Sequence, residues 1–83
     1  MVKILFFGRL ADAAGAAQFA VELPPGISST DQLGDWLASD NPVLLEELRS
    51  GRVRIAVNQE LIGGDAPVRA GDEIAYLPPV SGG

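Results

Sequence analysis

The 83-residue sequence contains no Cys and no His. It offers no thiolate nucleophile, no imidazole base and no usual zinc or iron site. Carboxylates are plentiful, but none forms a convincing catalytic pair. Glu46-Glu47 falls on an expected surface helix and reads as solvated. Asp72-Glu73 opens a strand, where such residues serve turn geometry. Gly63-Gly64 is not followed by the Lys-Ser/Thr of a phosphate loop. What remains is the stretch Pro78-Pro79-Val80-Ser81-Gly82-Gly83. Two prolines hold φ near one value and push Leu77 to an extended conformation. Gly82 and Gly83 then remove every side chain from the tip. Such a tip can thread a narrow channel and present a carboxylate, ionised at neutral pH, to a partner. The plainer alternative is a frayed end of small residues. A chance Gly-Gly ending is expected in about 0.5% of chains at average usage.

A tip of this kind needs a scaffold. The length fits a single domain, residues 1–83, with a thin core and with 78–83 as an extended, flexible tail. A hydrophobic fraction of 47% argues for a globular chain. No apolar run reaches the roughly 20 residues of a membrane span, and the start lacks a signal-peptide pattern. The missing cysteines fit the cytoplasm. The formal charge of −5, six basic against eleven acidic residues, speaks against nucleic acid. It suits protein partners with a basic surface.

The hydrophobic pattern predicts strands over Val2–Phe7, Gln18–Leu23, Arg52–Val57, Glu60–Ile62 and Glu73–Leu77. A short helix is expected between Gly8 and Gly15. The main helix starts at Ser29, where Gln32 three residues on suggests a capping box. Leu33, Trp36 and Leu37 are expected to pack on the sheet. Asn41-Pro42 starts another helix through Leu44, Leu45 and Leu48. Asn58-Gln59 reads as a turn. Together these give an α+β roll of β-grasp (ubiquitin-like) type: a mixed sheet of about five strands, helices on one face, the last strand beside the first.

Strand parity divides the sheet. Val2, Ile4, Phe6, Val53, Ile55, Val57, Ile74 and Tyr76 point towards the helices. Lys3, Leu5, Phe7, Arg52, Arg54, Ala56, Glu73, Ala75 and Leu77 point away. Leu5, Phe7 and Leu77, joined by Leu61, then form an apolar group at the root of the tail. Either the helix of residues 10–14 or a loop covers it, or it is a protein interface. Arg52 and Arg54 read as a solvated strand face or as interface charges.

The stretch Gly71-Asp72-Glu73-Ile74-Ala75-Tyr76-Leu77-Pro78-Pro79-Val80-Ser81-Gly82-Gly83 resembles the end of the small subunits of molybdopterin synthase, a family of ubiquitin-like sulfur carriers. Lys3-Ile4-Leu5-Phe6-Phe7-Gly8 is similar to the family's opening strand, and Ala56-Val57-Asn58-Gln59 to its central turn. The resemblance implies a chain that is not catalytic alone. An adenylating enzyme would spend ATP on the Gly83 carboxylate, and a sulfur donor system would convert it to a thiocarboxylate. The large synthase subunit would take up the tail, and sulfur would pass to a pterin precursor of the molybdenum cofactor. The resemblance puts Phe7, Leu61, Leu77, Pro78, Pro79, Val80 and Ser81 in partner binding, with Gly82 and Gly83 at the chemistry. It implies no bound cofactor or metal and no nucleic-acid or membrane partner. Leu77 departs from the family's frequent aromatic pair at this position. A carrier for thiamine, cysteine or tRNA thiolation, a ubiquitin-like protein modifier and a plain interaction domain stay open as alternatives.

Overall fold

The computed structural model describes residues 1–79. Val80, Ser81, Gly82 and Gly83, which the sequence assigns to the tail, lie outside the described residues. Five strands and three helices follow in the order β1 (Val2–Phe6), α1 (Arg9–Ala14), β2 (Gln18–Val21), α2 (Thr30–Leu37), α3 (Pro42–Leu48), β3 (Arg54–Val57), β4 (Glu60–Ile62) and β5 (Glu73–Leu77). The sheet order is β2-β1-β5-β3-β4. β1 and β5 run parallel, and the other neighbours are antiparallel. The expected mixed sheet with its last strand beside its first is therefore the one observed.

The core forms where the parity places it. Val2, Ile4, Phe6, Ile74 and Tyr76 are buried together with Leu10 of α1, Leu33 of α2 and Leu44 of α3. All three helices therefore cover one face, and α1 does not lie over the other. Val53, Ile55 and Val57 pack against the same cluster. The Phe6 and Tyr76 rings stack with centroids 5.3 Å apart. Each such side chain contributes about 1.5–3 kcal/mol by leaving water.

Several boundaries differ from the sequence expectation. β1 ends at Phe6, although the Phe7 N–H still donates to the Tyr76 carbonyl at 3.1 Å. β2 ends at Val21 rather than Leu23 because its partner β1 starts at Val2, which faces Val21. β3 begins at Arg54, since the Arg52 N–H is taken by the Ser50 hydroxyl at 3.2 Å. Trp36 is 39% exposed and does not pack on the sheet as expected. The buried stripe of α2 runs through Thr30, Leu33 and Gly34, with Leu37 and Ala38 one turn on, so Trp36 falls beside it.

Helix starts and turns follow local chemistry. Ser29 Oγ accepts from the Gln32 N–H at 3.3 Å. Gln32 Oε1, however, takes the N–H of Ser28 at 2.8 Å, so the reciprocal half of the box is shifted by one residue. Asn41 caps α3 by accepting from the Leu44 N–H at 3.1 Å, with Pro42 in the first turn. Asn58 and Gln59 both have positive φ, 51° and 70°. That is the two-residue turn that joins twisted antiparallel strands, here β3 and β4.

Candidate functional site

The face of the sheet away from the helices carries the candidate site. Register lines up Gln18, Leu5, Ala75, Ala56 and Leu61 side by side across all five strands. The row below pairs Lys3 with Glu73, and the row above pairs Leu77 with Arg54. Phe7 follows the end of β1 beside this upper row. Phe7 is 45% exposed and Leu61 56%. Leu5 and Leu77 are half-buried. Ala56 and Ala75 are nearly covered between these larger neighbours. The result is an apolar strip with a low centre and raised flanks. Neither α1 nor any described loop covers Phe7 or Leu61, so the covered alternative fails for them. The strip is of the kind that marks a protein interface.

The exit of the tail is set at the top of this strip. Pro78 and Pro79 follow β5 directly and are half-buried. Gly8 has φ 57°, and a Cβ there would stand 3.0 Å from Pro78 Cγ. The Pro78 ring thus rests where Gly8 has no side chain. Of the residues the sequence marks, Phe7, Leu77, Pro78 and Pro79 fall at or beside this end of the sheet, and Leu61 lies one row below it on the edge strand β4. Val80, Ser81, Gly82 and Gly83 lie outside the described residues.

Polar contacts absent from the sequence reading hold β5 in place. The Tyr76 hydroxyl donates to the Thr30 carbonyl at 3.2 Å. Burial, with the charges of Asp31, Asp35 and Asp65 behind it, pushes the Tyr76 phenol above its usual range. Asp65 Oδ1 accepts from the Asp31 N–H at 2.9 Å and the Thr30 hydroxyl at 3.1 Å, adding a second cap to α2. The Asp31 N–H is the main reason the Asp65 carboxyl sits below the ordinary range. At the start of β5, Asn58 Nδ2 donates to Asp72 Oδ1 at 3.0 Å, and the Glu73 N–H donates to Asn58 Oδ1 at 2.9 Å. The Asn58 amide, then the Arg69 N–H, lower the Asp72 carboxyl. No sequence signal announces the Asp65 cap, because its partners lie more than thirty residues away.

A groove of about 450 Å³ on the helix side is lined by Asp31, Gly34, Asp35, Arg49, Ile55 and Tyr76 among others. Two of its side-chain polar groups are already engaged. Asp35 Oδ1 is 3.3 Å from Arg49 Nε, and Tyr76 is bonded to Thr30. It presents no nucleophile beside a base. Among the described residues no three potential metal ligands cluster.

Comparison with known proteins adds four findings. The model of the ThiS family matches residues 4–83. The molybdopterin synthase sulfur carrier subunit of Escherichia coli is 34% identical over 83 residues, all of both chains. Among solved structures, the small archaeal modifier protein 1 of Methanosarcina acetivorans aligns at a TM-score of 0.77, with 28% identity over 99% of this chain and 95% of that one. A chain in a complex of subunits 1 and 2 of the molybdopterin-converting factor of Helicobacter pylori aligns at 0.62, with 26% identity over 99% and 97%.

Proposed function

The chain belongs to the ThiS family, and from that membership we propose that it is the sulfur-carrier subunit of a molybdopterin synthase. The observation that carries the reading is the full-length match to a carrier subunit of that name. The apolar strip, ending where β5 hands over to Pro78, supports it. In this reading the protein has no catalytic side chain of its own, and the Gly83 carboxylate is the reactive group. An adenylating enzyme joins that carboxylate to AMP, with pyrophosphate leaving. A carboxylate is a poor electrophile, whereas the mixed anhydride has a good leaving group. A sulfur donor then displaces AMP, and the thiocarboxylate stores nucleophilic sulfur. The large subunit docks on the strip through Phe7, Leu61 and Leu77. It takes in Pro78–Ser81 and directs the sulfur to a pterin precursor. Two such transfers build a dithiolene.

The test is intact mass after incubation with ATP, an adenylating partner and a sulfur donor. Replacement of one oxygen by sulfur at Gly83 is expected. Deleting Gly83, or adding one residue after it, abolishes the exchange while leaving the fold intact. Exchange retained in either variant defeats the proposal. One observation favours a second reading, the likeness to an archaeal modifier protein. A modifier would form higher-mass amide conjugates that survive thiol reagents.

A further inference from the structure

The docking face is charged against the rest of the molecule. The net charge of −5 by itself points to basic partners. Within the strands, the open face carries Lys3, Glu73 and Arg54. Lys3 Nζ stands 4.0 Å from Glu73 Oε1 at paired positions of β1 and β5, so these two offset each other. Arg54 makes no ion pair among the described residues. It is exposed and directly opposite Leu77, at the root of the tail. Within the strands, the uncompensated charge of this face is therefore positive. The acidic residues Asp31, Asp35, Glu46 and Glu47 sit on α2 and α3 behind the sheet.

We propose that Arg54 is a specificity-determining residue of the docking face and meets a carboxylate on the large synthase subunit. The inference rests on the functional reading above. A partner that covers Leu77 also draws water from its neighbour across β3 and β5. A guanidinium brought out of water unpaired is costly, and a carboxylate that meets its planar fork offsets that cost. A basic surface would be repelled at this point. An acidic partner surface is attracted at Arg54 and repelled by the acidic residues of α2 and α3.

The test is the association rate of the whole chain with the large synthase subunit of its own organism. At low salt, Arg54→Gln is expected to slow association about threefold and Arg54→Glu about tenfold. Both differences shrink at about 0.15 M salt, where the Debye length is about 8 Å. Arg69→Gln changes the net charge by the same unit as Arg54→Gln but lies ahead of β5, and its rate stays at the wild-type value. Thermal unfolding of each variant checks that the fold is kept. An Arg54→Glu chain that associates as fast as wild type overturns the proposal. So does an Arg69→Gln chain slowed as much as Arg54→Gln. If the wild-type chain does not bind the large subunit at all, the functional reading falls and this proposal with it.

Discussion

Leu61 lets the proposed docking be tested apart from folding. It sits on the edge strand β4 and is 56% exposed, so the fold gains little from its outer half. Covering a whole Leu side chain is worth about 1.5–3 kcal/mol. Rather more than half of Leu61 is left for a partner to cover. Leu61→Ala therefore costs about 1–1.5 kcal/mol of binding, roughly 5- to 12-fold in Kd. The part of Leu61 already covered by the fold is the smaller one, so the same change costs stability about 1 kcal/mol or less. Titration calorimetry against the large subunit measures the first quantity, and chemical unfolding measures the second. Binding at wild-type strength would remove Leu61 from the docking face. A loss of stability above about 1 kcal/mol, with binding weakened to match, would mean that the strip serves the fold and not a partner.

Two further predictions concern the scaffold. Gly34 lies inside α2, where a Cβ would meet Leu48 Cδ1 at 3.5 Å and the Tyr76 hydroxyl at 3.7 Å, ordinary contact distances. Gly34→Ala should stabilise by about 1 kcal/mol through helix propensity, raising Tm by about 4–8 °C; a lower Tm in a thermal scan would show that the contact is tighter than this geometry allows. The second concerns acid. Asp65 and Asp72 have folded pKa values below the unfolded ones, so their contribution is complete above the unfolded pKa of about 3.9 and is lost as pH falls through the folded values. Urea midpoints should hold steady from about pH 7 to 5 and drop below about 4. The Asp65→Asn/Asp72→Asn chain should be less stable at neutral pH and fall less steeply; an unchanged acid slope would assign the loss to other carboxylates.

What the sequence disclosed is what neighbouring residues decide. The alternation of Val2, Ile4 and Phe6 specifies which face of β1 is buried, and Asn41-Pro42 specifies where α3 begins. The same parity places Leu5, Phe7 and Leu77 on one open face, and the family resemblance adds Leu61 to them. Where sequence reasoning failed, a distant partner had taken over. The Asp65 carboxylate reaches α2 from the loop ahead of β5. The length of β2 is decided by where β1 starts. Trp36 satisfied a helical spacing, but the stripe that faces the sheet passes through Gly34, which lies against Leu48 and Tyr76. A glycine at that place reads in sequence only as a weakness in a helix. The extent of the strip was legible, while its low Ala56–Ala75 centre needed the register of β3 against β5.

The central place of β5 has a mechanical side. In the proposed docking, a tail drawn into a partner would pull β5 along its own axis. β1 grips it on one side and β3 on the other, each through four paired positions. A pull in that direction loads both ladders in shear, so their hydrogen bonds must yield together. An edge strand pulled outward would instead unzip one bond at a time. The tail is thus anchored where the sheet best resists being drawn apart.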